Sequence, residues 1–271
     1  MYTQLKGLRG NNTPYILSVI ITLLMLLASL GGLFLHYLYQ DSDFIQVAWR
    51  SNDMVTLLVA VPLMILSMVF AKRGSDRWLL VWMGMLLYTL YNYSFYLFGA
   101  IFNKFFLVYA SLVALSIYTL ILSLSHLDVK SIAARFNAKT PVKAVSLYLV
   151  AVTLPLLYVE VSQCINFLIS EKQPEAPPLI FALDFIFVIP ATVLAAVHIW
   201  NRHPWGYILA VLMLVKGFVY GLVLSIGTGI LAYASVFGKM DSLMPFYIVV
   251  AIGGLAGCWL LLRNLNDHPE N

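Results

Sequence analysis

Residues 205–233 read WGYILAVLMLVKGFVYGLVLSIGTGILAY, an apolar run broken by a single charge, Lys216. At 1.5 Å per residue a helix of this length reaches roughly 43 Å, more than the ~30 Å hydrocarbon core of a bilayer. A helix that is apolar on every face lies either in the core of a large protein or in a membrane. The whole chain, 271 residues long, is 62% hydrophobic and only 10% charged, with a mean hydropathy of +0.89. A soluble domain usually carries about 25% charged residues. With so few, no water-facing surface can be covered, and lipid is the solvent for most of the chain. Backbone groups cannot stay unpaired in hydrocarbon, so the run must be helical.

Working outward, the same pattern recurs over 14–39, 54–71, 78–98, 105–126, 142–165, 178–200 and 243–262. The expected fold class is therefore all-α: a polytopic membrane bundle of eight transmembrane helices, one membrane domain over 1–271. The second stretch is the shortest. The first follows Lys6 and Arg9, but its apolar run is longer than the roughly 7–15 residues of a signal-peptide core and has no A-x-A-like cleavage site, so it reads as a retained helix. Under eight spans, Lys6, Arg9, Lys72, Arg73, Arg77, Lys130, Arg135, Lys139, Lys143, Arg202 and Arg263 fall on one side. Arg50, Lys104, Lys172 and Lys239 fall on the other, together with Asp41, Asp43, Asp53, Glu171, Glu175 and Asp241. The positive-inside rule then places both termini in the cytoplasm, in a multi-pass protein of the cytoplasmic (inner) membrane. Trp78, Trp200 and Trp205 fit the inner interface and Trp49 the outer one. The net charge of +4 is explained by this topology, and no nucleic-acid partner is expected. The loops are too short for a soluble catalytic domain.

Two stretches read alike when stacked. Val59-Ala60-Val61-Pro62, followed by Leu63-Met64-Ile65-Leu66, resembles Phe187-Val188-Ile189-Pro190, followed by Ala191-Thr192-Val193-Leu194. Each leads through a short basic turn to a tryptophan, Trp78 or Trp205, and another long apolar segment. In this register Thr89 falls opposite Lys216 and Tyr93 opposite Tyr220. A tandem repeat of two four-helix units, 1–130 and 131–271, related by an axis along the membrane normal, accounts for the match; several carriers are built from parallel repeats. Any two apolar hairpins with a proline and an interfacial tryptophan would also look alike. Gly217, Gly221, Ser225 and Gly229 form a small-residue stripe, as do Gly253 and Gly257, of the kind that lets helices approach within a bundle or between subunits of an oligomer.

Ionisable residues inside a bilayer are costly and mark candidate sites. Lys216 lies roughly 16 Å along its segment, near mid-membrane, and Asp184 roughly 9 Å inside the far end of the preceding one. Glu160 lies near the far end of the fifth. Asp184 and Lys216 belong to adjacent spans and are within reach of one another, either as a structural pair that fixes register or as the wall of a polar pocket. The third segment adds Tyr88, Asn92 and Tyr96 at i, i+4, i+8 spacing, either lining a cavity or forming an aromatic belt. The expected ligand-binding set is Lys216, Asp184, Asn92, Tyr88, Tyr220 and Glu160. His126, His198 and His203 sit near one surface without metal-ligand spacing, the two cysteines make no framework, and there is no HExxH, G-x-S-x-G or P-loop. No metal or cofactor is expected. Pro62, Pro155 and Pro190 are expected to kink their helices.

The stretch Leu90-Tyr91-Asn92-Tyr93-Ser94-Phe95-Tyr96-Leu97-Phe98-Gly99 with Phe102-Asn103, and Arg202-His203-Pro204-Trp205-Gly206-Tyr207 followed by Leu214-Val215-Lys216-Gly217, resemble motifs of an uncharacterised family of bacterial polytopic integral membrane proteins. That resemblance implies a bacterial-type membrane protein and no particular activity. Three functions remain open: a small-molecule carrier or ligand-binding bundle with a polar site between the halves, an intramembrane enzyme acting on a lipid or quinone, and a non-catalytic sensory or assembly subunit. The partners expected are the bilayer and a small-molecule or lipid ligand.

Overall fold

The structure, a computed structural model, describes residues 12–174, 177–233 and 243–267. Among the described residues, eight long helices make up the bundle. They are α1 (Thr13–Phe34), α2 (Asp43–Val55, continuing through Thr56–Ala60 into Val61–Lys72), α3 (Asp76–Gly99) and α4 (Phe106–Ser125). Then come α5 (Val142–Ser170), α6 (Pro178–Leu183, Asp184–Val188 and Ile189–Trp200), α7 (Pro204–Tyr233) and α8 (Met244–Leu262). A short helix, Val129–Ala134, lies between α4 and α5. Seven of the eight are long and apolar enough to cross a membrane, which makes the chain an integral membrane protein on length and composition. The other, α3, is long enough at 24 residues but less apolar, because 17 of them are buried inside the protein. A helix wrapped by other helices meets little lipid and has no need to be apolar.

The helices pack as two rings of four. In the first, α1 touches α2, α2 touches α3, α3 touches α4, and α4 returns to α1. In the second, α5, α6, α7 and α8 repeat that order and α8 returns to α5. Across the middle α3 packs on α7, flanked by contacts of α2 with α7 and of α3 with α6. Close approach is set by glycine. A Cβ on Gly84 of α3 would meet Val215 of α7 at 2.6 Å, and one on Gly221 of α7 would meet the Ala251 backbone nitrogen of α8 at 2.7 Å.

Two expectations need correcting. The first helix stops at Phe34 instead of running to residue 39; Leu35 turns extended and the chain folds back, burying Leu38 and Tyr39. The second begins at Asp43, not at Met54, so Asp53 is a helical residue 1% exposed and not a loop acid. Its carboxylate is satisfied by protein donors there, which removes the need for water. At Pro62 and Pro190 the chain adopts π-helical turns, Thr56–Ala60 and Asp184–Val188, each starting six residues ahead of the proline. A proline inside a helix removes an N–H donor and crowds the preceding turn, and a wider turn accommodates both.

The basic end of the bundle is laced together by polar contacts. The Asp267 carboxylate accepts from the backbone N–H groups of Asp76 (2.9 Å) and Arg77 (3.3 Å) at the start of α3, where the helix dipole favours an anion. Arg135, which caps the C-terminal end of the short helix, pairs with the buried Asp76. Phe136 and Leu265 form a β-bridge, and Arg202, in the left-handed region at φ 53°, donates to the Ala138 carbonyl.

Candidate functional site

A cavity of about 120 Å³ lies within the second ring of helices. That is roughly ten times the 10–15 Å³ that one water requires. Leu149, Val152 and Leu156 of α5 and Val250 of α8 supply apolar wall, while Asp184 of α6, Lys216 and Tyr220 of α7 and Tyr91 of α3 supply the polar groups. Thr153 and Thr192 also face it, but their hydroxyls donate to their own helices, to Leu149 and Val188.

Lys216 is 6% exposed. Among the described residues no carboxylate oxygen comes within 4.0 Å of its ammonium; the ion pairs Arg77–Asp267 and Arg135–Asp76 lie elsewhere. Instead its Nζ sits 3.5 Å from the centroid of the Tyr91 ring and 5.3 Å from that of Tyr220. A desolvated ammonium over an aromatic face gains about 2 kcal/mol. Tyr91 and Tyr220 meet edge to face at 4.9 Å, and Phe95 braces both. The Tyr91 hydroxyl donates to Asp184 Oδ1 at 2.5 Å. Tyr91 thus touches the acid through its hydroxyl and the base through its ring.

Asp184 opens the π-helical turn of α6 and is 5% exposed. The carboxyl of Glu160, from α5, faces it. Glu160 is 4% exposed, and neither of its oxygens has a hydrogen-bond partner.

The remaining expected residues lie outside the cavity. Asn92 accepts a 2.7 Å hydrogen bond from the Asn52 amide, and the Tyr88 hydroxyl lies 3.0 Å from the Thr56 hydroxyl, so both are turned toward α2. The anticipated set of six divides into Lys216, Asp184 and Tyr220 on the cavity wall, Glu160 off the wall but interacting with Asp184, and Asn92 and Tyr88 in the α2–α3 contact. Tyr91, the residue that ties acid to base, is not one of the Tyr88, Asn92 and Tyr96 positions that the i, i+4, i+8 spacing picks out.

A second buried acid stands in the first ring. Asp53 Oδ2 accepts from the Tyr39 hydroxyl at 2.6 Å and Oδ1 from the Tyr96 hydroxyl at 3.0 Å. Gly32 makes room for both: a Cβ there would fall 1.8 Å from Asp53 Oδ2 and 2.4 Å from the Tyr39 hydroxyl. The rings of Tyr93 and Tyr109 close the cluster around Tyr96 at 5.3 and 5.1 Å. The signal for Asp53 was its i, i+3 spacing from Thr56 on a polar helix face, which the short second segment hid.

No protein family, curated protein or solved structure matches the chain. The reading of its function therefore rests on the geometry of its own residues. Among the described residues, no group of three or more His, Cys, Asp or Glu side chains gathers as a metal site would require.

Proposed function

We propose that the chain is a small-molecule carrier or ligand-binding bundle whose site is the cavity beside Lys216. The observation that carries this reading is a mid-helix ammonium held on two aromatic rings, facing open space that it shares with Asp184. A cation buried only to fix helix register would be expected in a closed ion pair, and a bundle serving as a passive subunit would be packed tight around it. Apolar walls with a few convergent polar groups suit a small amphipathic ligand.

The wider architecture of the proposal is eight spans, with both termini on the cytoplasmic side of an inner membrane and α3 as the span that is protein-wrapped instead of lipid-facing. A tandem origin for the two rings is supported by their matching order of contacts and by π-helical turns at equivalent distances from Pro62 and Pro190.

A second reading, an intramembrane enzyme acting on a lipid, is favoured by one feature. Beside the cavity α5 and α8 meet through the Tyr148 hydroxyl, which donates to the Val250 carbonyl at 2.9 Å, and through the Tyr148 ring on Gly253. Beyond that contact α5 leaves Tyr158, Leu168 and Ile169 exposed, an apolar face that lipid can meet.

The test is native mass spectrometry of the full chain released from its membrane, wild type against Lys216→Ala. The wild type is expected to retain a small molecule that the variant, inserted at equal yield, has lost. An identical mass profile for the two removes Lys216 from the site, and a retained phospholipid that the wild type converts to product moves the assignment to the enzyme.

A further inference from the structure

Among the described residues, no donor reaches the Glu160 carboxyl. It is buried, it faces Asp184, and both of its oxygens lack a hydrogen-bond partner. Asp184 has one oxygen occupied by the Tyr91 hydroxyl. Two ionised carboxylates only accept hydrogen bonds, so neither can satisfy the other. One proton placed between them supplies the missing donor.

Charge leads to the same place. The ionisable groups beside the pair or on the cavity wall are Tyr148 from α5, Tyr91 from α3, Lys216 and Tyr220 from α7, and Tyr247 from α8. All but Lys216 are phenols, neutral in their ordinary form, so two bare carboxylates would face one ammonium. Uncompensated charge inside a membrane is expensive. One shared proton leaves a single negative charge opposite Lys216, and the site becomes neutral as a whole.

We propose that Glu160 and Asp184 form a one-proton binding site, with Tyr91 donating to the carboxyl that faces the cavity. This rests on the reading of the cavity as a binding site and names its coupling ion. Loss of the proton from the pair leaves the cavity wall one charge more negative, and regaining it restores neutrality. Occupancy of the cavity and occupancy of the pair are linked through Asp184, which belongs to both. The π-helical turn that begins at Asp184 places it there.

The experiment is infrared difference spectroscopy of the full chain in lipid nanodiscs, reading the carbonyl stretch of protonated carboxylic acids in wild type, Glu160→Gln, Asp184→Asn and the double variant. Each single substitution is expected to remove one protonated carboxyl, and the double substitution the same one and no more. Asp53 contributes equally to all four spectra and cancels. Loss of two carboxyls in the double variant, or of none in either single variant, overturns the proposal. A wild-type comparison needs no substitution: replacing choline by sodium at constant pH is expected to leave the band unchanged, and its disappearance would make the pair a sodium site instead. No cargo is needed in either measurement, so the shared proton stands or falls independently of what the cavity carries.

Discussion

Substituting the glycines where α7 crosses α8 is expected to sort them into two classes that spacing alone does not distinguish. A Cβ on Gly221 would stand 2.7 Å from the backbone nitrogen of Ala251, and one on Gly254 would stand 2.8 Å from that of Phe218. Ordinary contact begins at 3.4 Å, so Gly221→Ala must drive the two backbones apart by about 0.7 Å, and Gly254→Ala by nearly as much. Neither obstacle is a flexible side chain that can swing away. Overpacking of this kind costs about 1–3 kcal/mol. On the same stripe, a Cβ at Gly217 meets only a Val250 methyl at 3.8 Å, and one at Gly229 only the Met244 methyl at 3.7 Å. Alanine is accommodated at both, and its better helix propensity, worth up to about 1 kcal/mol, makes these substitutions neutral or slightly stabilising. The assay is unfolding of the full chain in lipid–detergent micelles titrated with a denaturing detergent and followed by helical circular dichroism. Equal midpoints for the four variants, or a larger loss at Gly217 than at Gly221, would refute the backbone-contact account of this crossing.

Two further outcomes are checked by the same titration. Tyr39→Phe and Tyr96→Phe each remove one donor from the buried Asp53 carboxylate and are expected to cost about 1–3 kcal/mol apiece. Together they should depart from additivity, since the second removal strips the last phenol from the same carboxylate, and strict additivity would count against a shared acceptor. Asp76→Asn breaks the pair between a fully buried acid and Arg135 and is expected to cost about 3 kcal/mol, the low end for a buried pair because Arg135 is partly exposed. An asparagine variant as stable as the wild type would mean that the pair does not anchor the short helix.

What could be read directly from the residues was whatever the solvent imposes one segment at a time. The run containing Lys216 had to be a helix because hydrocarbon offers its backbone no other partners. The bounds of α6 (Pro178–Trp200) and α8 (Met244–Leu262) agree with hydropathy to within a residue. Lys216 and Asp184 were visible for the same reason, since a charge inside an apolar run has no inexpensive place to go. Asp53 was not visible, because it stands among polar neighbours at the mouth of its segment and looks like a loop residue until Tyr39 and Tyr96 close over it. Asn92 and Tyr88 shared a helix face with nothing to show which neighbour that face would meet; packing turned them toward α2 and brought Tyr91 to the cavity. The sequence by itself determined a helical membrane bundle, its apolar spans and the charges inside them. Only the tertiary structure decided that Lys216 rests on tyrosine rings and not on Asp184, and that Glu160 is the group left facing that acid. The physical reason is range: burial in lipid acts on each helix alone, whereas the partner of a buried charge is chosen by neighbours that arrive from distant parts of the chain.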